Sequence, residues 1–228
     1  MDYQEQLSPT HLAGLIKTRW TLRGTGKAVN WVEQNATPDG CIEVIFRSQG
    51  RSSWKSEQPS RFVVGLITRS QPFQISGDAS FDAIRLWPWA VSLFSDLPLG
   101  SLADRWAPWD GPSIPEIVRV LENSPRRNRE GIAILGATTV AEMSSRCGRS
   151  PRRLQRWFQR NVGLPPRKFL QLRRFQSAFE TLPCCDNLAD HAAEYGFADQ
   201  AHMTREIKRL SGASPKAALD RAKGPFLR

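Results

Sequence analysis

Hydrophobic positions change rhythm partway along the chain. Up to about residue 112 they come in short runs, CIEVIF at 41–46, RFVVGLIT at 61–68, PFQI at 72–75 and FDAIRLW at 81–87, separated by glycine, aspartate and serine. Runs of this length, rich in Val, Ile and Phe and bounded by turn formers, indicate β-strands. Residues 90–106 have apolar spacing closer to helical, which predicts one or two short helices closing a β domain. Ser113 to Glu116 reads as a capping box with Pro115 just inside it, and begins a short helix to about Leu121. The polar NSPRRNREG stretch at 123–131 then reads as a linker. The expected fold class is α+β in two domains: a mainly-β domain over 1–112, a short helix and linker over 113–131, and an all-α domain over 132–228.

From Gly131 onward the pattern is helical and repeats itself. Ala141 aligns with Ala189, Gly148 with Gly196, Phe158 with Ile207, Gly163 with Gly212 and Pro166 with Pro215, at an offset of 48 before the central turn and 49 after it. Two copies make a duplicated supersecondary element, because a solenoid needs three or more. In the first copy, Thr139 and Glu142 form a capping box that opens a helix to about Arg146, and Gly148 supplies a tight turn. Ser150-Pro151 restarts a helix whose buried stripe is Leu154 and Phe158. Two short helices joined by a glycine-containing turn are a helix-turn-helix. The two units span 139–161 and 187–210, joined by a helix over 166–182.

Charge sharpens the picture once it is located. The chain of 228 residues carries +10 overall. Residues 1–130 hold 15 Lys and Arg against 14 Asp and Glu, while 131–228 hold 17 against 8. The window 139–174 alone has ten basic residues against the single acid Glu142. A field of this kind attracts a polyanion, and arginine matches the planar acceptor geometry of phosphate and of the guanine edge. With Leu154 and Phe158 facing inward, Arg152, Arg153, Gln155, Arg156 and Arg160 lie on the outer surfaces of the second helix, equipped for a major groove.

The segments VAEMSSRCGRSPRRLQRWF at 140–158, VGLPP at 162–166 and LADHAAEYGFADQAHMTREIKRLSGASP at 188–215 resemble the DNA-binding domain of the AraC/XylS transcriptional regulators. The resemblance implies two helix-turn-helix units entering successive major-groove segments, with Arg149, Arg152, Arg153, Gln155, Arg156, Arg160, Gln200, Thr204, Arg205 and Lys208 as the DNA-facing set. It also implies double-stranded DNA and RNA polymerase as partners. The second unit departs from the family pattern: Ala198 stands where a serine N-cap is usual, Met203 and Ile207 replace aromatic residues, and Glu206 puts an anion on the recognition helix. Residues 186–221 hold five basic and six acidic residues, so the first unit is expected to dominate affinity. More faintly, PDGCIEVIF at 38–46 and FVVGLIT at 62–68 resemble the degenerate, cupin-like barrel found ahead of this domain in one branch of the family. That implies a one-component regulator controlled by a small-molecule effector or a contact at the N-terminal domain, with homodimer formation open.

Other chemistry fares poorly. Only His11 of the three histidines precedes the linker, which argues against a metal-dependent cupin enzyme, and no cofactor is expected. Ser52-Ser-Trp-Lys55 lacks the companion motifs of acyl-transfer enzymes, and Gly24-Thr-Gly-Lys27 is too short for a phosphate loop. Seven of eight tryptophans fall in the first 112 residues, where they fill a core or line an apolar effector pocket. Cys41, Cys147, Cys184 and Cys185 have no zinc-ligand spacing and read as free thiols. With no apolar run near the roughly 18 residues of a membrane span, the expectation is a cytoplasmic protein that is not an enzyme. The alternative is a small-molecule-binding or enzymatic β-barrel with a basic tail that binds nucleic acid without sequence preference.

Overall fold

In the computed structural model, which describes residues 1–215 and 217, ten strands precede a helical half. The strands are β1 (Asp2–Leu7), β2 (Ile16–Arg23), β3 (Trp31–Ala36), β4 (Ile42–Gln49), β5 (Ser52–Trp54), β6 (Ser56–Glu57), β7 (Arg61–Val64), β8 (Gln71–Ser76), β9 (Ser80–Leu86) and β10 (Trp106–Pro108). They form two antiparallel sheets, one of six strands in the order β1-β2-β9-β4-β7-β10 and one of four in the order β3-β8-β5-β6. The expected barrel does not close. The sheets keep separate edges, and β5, β6 and β10, at two or three residues each, are too short to bridge them.

The six-stranded sheet is covered on both faces. Ile42, Val44, Val63, Ile84 and Leu86 pack toward the helices, whereas Ile45, Phe62, Phe81 and Ala83 face the second sheet. Strand alternation accounts for this, with one exception that a bulge explains. Ile16, Trp20 and Leu22 share parity yet Ile16 faces the helices and the other two the second sheet, because the β2–β9 register shifts between Ile16 and Thr18.

The helices are α1 (Pro88–Val91), α2 (Ile114–Glu122), α3 (Pro125–Leu135), α4 (Val140–Arg146), α5 (Pro151–Asn161), α6 (Pro166–Thr181), α7 (Leu188–Glu194) and α8 (Gln200–Ser211). The Ser113–Glu116 capping box forms as the sequence predicts. The linker does not: 125–135 is helical, and it is the inner wall of an interface. Asn128, Gly131 and Ile134, at intervals of three, are buried. Asn128 Oδ1 accepts from the Gly14 amide at 2.8 Å, and a Cβ on Gly131 would lie 1.9 Å from the Gly14 carbonyl oxygen. Small and polar residues are here because backbone approaches backbone, and this composition mimics a linker.

One apolar core therefore runs across the expected domain boundary. Leu12, Leu15, Trp89 and Leu99 share it with Ile134, Met143, Leu154, Phe158, Val162 and Phe169. The second helix-turn-helix has its own core with the far half of α6: Leu172, Phe175, Phe179, Met203, Ile207 and Leu210. It also touches the β half directly, where the Ser70 amide donates to the Leu210 carbonyl at 2.7 Å. Positions 216 and 218–228 of the expected C-terminal domain lie outside the described residues.

Candidate nucleic-acid interface

The first unit is held by local chemistry at each end. The Thr139 hydroxyl accepts from the Glu142 amide at 3.1 Å and so caps α4. Glu142 reaches past its expected partner to the amide of Thr138 at 2.8 Å, and these bonds together with Arg146 lower its carboxyl pKa to about 2. Gly148 turns the chain at φ 59°, and Ser150 caps α5 by accepting from the Arg153 amide at 3.4 Å. Leu154 and Phe158 are fully buried, which orients the rest of the helix.

That orientation leaves Arg152, Arg153, Gln155, Arg156 and Arg160 exposed. Among the described residues none of these arginines has an ion pair. Arg149 differs: it is half-buried, ion-paired with Glu130 of α3, and its guanidinium lies 5.0 Å over the Trp157 ring. The Arg149 guanidinium is thus engaged at the α3 interface. Arg146 is paired with Glu142, Arg174 with Glu206, and Arg173 stacks on Trp87 at 5.3 Å. Much of the basic window is spent internally, and its uncompensated charge collects on α5.

The second unit repeats the design with different caps. Asn187 Oδ1 accepts from the Ala189 amide at 2.8 Å to start α7, and Gly196 makes the turn at φ 70°. The N-cap of α8 is Asp199, which accepts from the His202 amide at 2.6 Å. Ala198 is therefore not the capping position; the extra residue in the turn moves the cap to the 49-residue offset. Gln200, Arg205 and Lys208 are exposed and Thr204 is half-buried.

Glu206 also departs from expectation. It is only 6% exposed and points into the unit, where it accepts from Gln171 Nε2 at 2.8 Å and pairs with Arg174 at 3.0 Å. Arg174 in turn lies 4.6 Å over Phe197. The anion locks α8 onto α6, and the outer face of α8 keeps Arg205, Lys208 and Arg209 without it. The connector α6, sixteen residues or about 24 Å at ~1.5 Å per residue, thus holds both units.

A second feature is a cavity of about 90 Å³ between the two sheets, whose charged wall sequence reasoning missed. Its walls include Trp20, Trp54, Phe62, Phe73 and Phe81, and α6 contributes Gln176, Phe179 and Glu180 to it. Arg85 and Glu43, direct cross-strand partners on β9 and β4, face it with Asp39. The signal was present as charges interrupting the CIEVIF and FDAIRLW runs. Among the described residues no group of three His, Cys, Asp or Glu can hold a metal, and no helix is long and apolar enough to cross a membrane. Burial raises the thiol pKa of Cys41 and of half-buried Cys147, which suits packing better than reactivity.

Comparison with known proteins finds a match in each half of the chain. Residues 143–221 match the profile of the helix-turn-helix domain family, and residues 4–108 match the domain of unknown function DUF6597. The C-terminal region thus contains a helix-turn-helix domain. No curated protein matches the chain. Solved structures similar to it include ToxT from Vibrio cholerae, at 10% identity over 98% of this chain and 100% of that one, with a TM-score of 0.46. A complex of ToxT from Vibrio cholerae O395 with (E)-4-(8-methylnaphthalen-1-yl)but-3-enoic acid gives 10% identity, coverage of 97% and 99%, and a TM-score of 0.47. A probable AraC family transcriptional regulator from Rhodopseudomonas palustris gives 25% identity over 41% of this chain and 94% of that one, with a TM-score of 0.36.

Proposed function

We propose that the protein is a one-component, sequence-specific transcription regulator that acts by equilibrium occupancy of a duplex DNA site and performs no catalysis. The observation that carries this reading is the isolation of the α5 arginines. Four guanidiniums stand exposed on a helix whose other side is locked by Leu154 and Phe158, with no acid paired to them among the described residues. Arg152, Arg153, Gln155, Arg156 and Arg160 meet base edges and phosphates in one major-groove segment. Gln200, Thr204, Arg205 and Lys208 of α8 meet the next, with the first unit giving most of the affinity. The N-terminal domain controls occupancy through the shared core and α6, in a cytoplasmic setting.

The test is selection from a randomised duplex pool by the full chain at near-physiological salt, beside an Arg153→Ala/Arg156→Ala variant. Enrichment of a motif with two blocks about one helical turn apart, lost in the variant, is the expected result. Binding that only fades as salt rises, with no enriched motif, contradicts it.

A further inference from the structure

We propose that the cavity between the sheets binds a small uncharged ring compound bearing a carbonyl-type acceptor, which the indole N–H of Trp54 recognises. The ligand class stands on the cavity alone; its role as a signal rests on the regulator reading above.

The first observation is an unmet donor. Trp54, at the end of β5 and in the cavity wall, is 5% exposed, and its indole N–H has no hydrogen-bond partner among the described residues. Other buried indoles of this half are paired: Trp87 donates to the Ala13 carbonyl at 3.0 Å, Trp89 to the Gly14 carbonyl at 2.7 Å and Trp109 to the Pro112 carbonyl at 2.9 Å. A buried donor left unpaired is costly, and folded chains keep few of them. Gln58, also 5% exposed and in the same wall, makes no hydrogen bond through its side-chain amide among the described residues. A carbonyl oxygen has two lone pairs and can accept from both groups.

The second observation sets the charge of the occupant. The ionic groups at the cavity already satisfy one another. Arg85 Nε faces Glu43 Oε1 at 2.5 Å and Asp39 Oδ2 at 3.0 Å, and its NH1 donates to Glu5 at 3.0 Å. The Cys41 amide donates to Asp39 at 2.9 Å, and the Trp20 side chain bonds Glu43. Each carboxylate has its partners, so a cation gains no acceptor here. An anion would be set beside Asp39 and Glu43. With neither charge compensated, desolvation selects an uncharged occupant.

The third observation is the rest of the wall, which is apolar: Ile45, Phe62, Phe73, Ile75 and Phe81 surround the space. An ordered water needs about two to four polar partners. With the ionic groups engaged, one indole N–H and one amide supply too few for water to fill about 90 Å³. A single small ring fits that volume, with its apolar faces on the aliphatic and aromatic side chains and its oxygen toward Trp54. Gln176, Phe179 and Glu180 of α6 form part of the same wall, which sets the occupant beside the helix that joins the two helix-turn-helix units.

The test is NMR titration of the full chain at neutral pH with four probes of one shape: cyclopentanone, methylenecyclopentane, cyclopentylammonium and cyclopentanecarboxylate. Cyclopentanone is expected to bind, and both ions to bind about tenfold or more weakly than it does. Trp54→Phe keeps an aromatic ring and removes the donor; it is expected to weaken cyclopentanone about fivefold while methylenecyclopentane, with CH2 in place of oxygen, changes less than about twofold. Should that variant fail to fold, the unaltered chain decides: one indole N–H resonance moves downfield with cyclopentanone and not with methylenecyclopentane. No binding of cyclopentanone, an ion that binds as well, equal weakening of both neutral probes by Trp54→Phe, or no indole shift specific to the ketone overturns the ligand class. The duplex selection, run without and with cyclopentanone, separates this from the regulator reading. A motif enriched by a chain that binds no cyclopentanone leaves that reading standing and sinks this one. Cyclopentanone binding with no enriched motif in either arm does the opposite. Saturating cyclopentanone is expected to move the affinity for the selected duplex about threefold or more, and no change refutes the role of the occupant as a signal.

Discussion

Replacing Gly131 by alanine sets local preference against tertiary contact, and the two predict opposite signs. Gly131 lies inside α3, where alanine is favoured over glycine by about 1 kcal/mol from helix propensity alone. The new Cβ, however, would lie 1.9 Å from the Gly14 oxygen and 2.6 Å from Trp89 Nε1. Reaching an ordinary contact of about 3.4 Å requires the backbones to part by 3.4 − 1.9, or about 1.5 Å. Overpacking of this kind costs roughly 1–3 kcal/mol. The separation also breaks the 2.7 Å bond from Trp89 Nε1 to the Gly14 oxygen, leaving a buried donor without a partner at a further cost of about 1–3 kcal/mol. Less the helix gain, Gly131→Ala is expected to lower stability by roughly 1–5 kcal/mol. The assay is urea unfolding of the full chain followed by tryptophan fluorescence and by far-ultraviolet circular dichroism. A midpoint equal to or above that of the unaltered chain would refute the claim that α3 and the Gly14 turn form one packed unit.

Other expectations follow from the same geometry. Arg149→Ala is expected to lower unfolding stability by about 1–2 kcal/mol, through loss of the Glu130 pair and the Trp157 stack, while the salt dependence of DNA binding keeps its slope. A drop in that slope by about one would put Arg149 back on the DNA. Glu206→Gln removes a charge that is inside the second unit, so chemical denaturation should show a loss of about 1–3 kcal/mol and duplex titration no gain in affinity. A rise in affinity with stability intact would mean the carboxylate faces DNA after all. Glu142, with its folded pKa below the ordinary value of 4.5, contributes stability that is full above that value and disappears as pH falls toward about 2. Carboxyl titration by NMR checks the value directly, and the stability difference between the unaltered chain and Glu142→Gln should shrink over that pH range.

Local signals were readable in the sequence because they need only neighbours. Ser113 with Glu116, Thr139, Gly148 and Ser150-Pro151 announce helix starts and a turn, and each occurs where expected. What depended on distant residues was hidden. The polar stretch holding Asn128 and Gly131 looks like a linker until Gly14, more than a hundred positions earlier, is seen against it. Glu206 looks like a surface anion until Arg174 and Gln171 of α6 are placed beside it. Glu43 and Arg85 sit in plainly apolar strands, and only the sheet register sets them opposite one another. The bulge that turns Trp20 toward them has no signature in an alternation of apolar residues.

The most direct measurement is a fluorescence anisotropy titration of the selected duplex with the unaltered chain and with Arg153→Ala/Arg156→Ala, at several salt concentrations. The account predicts that the variant unfolds at the same urea concentration and binds about a hundredfold or more weakly, with its salt slope lower by about one to two. Undiminished affinity in a folded variant would contradict it, because the exposed arginines of α5 would then not be what holds the protein to DNA.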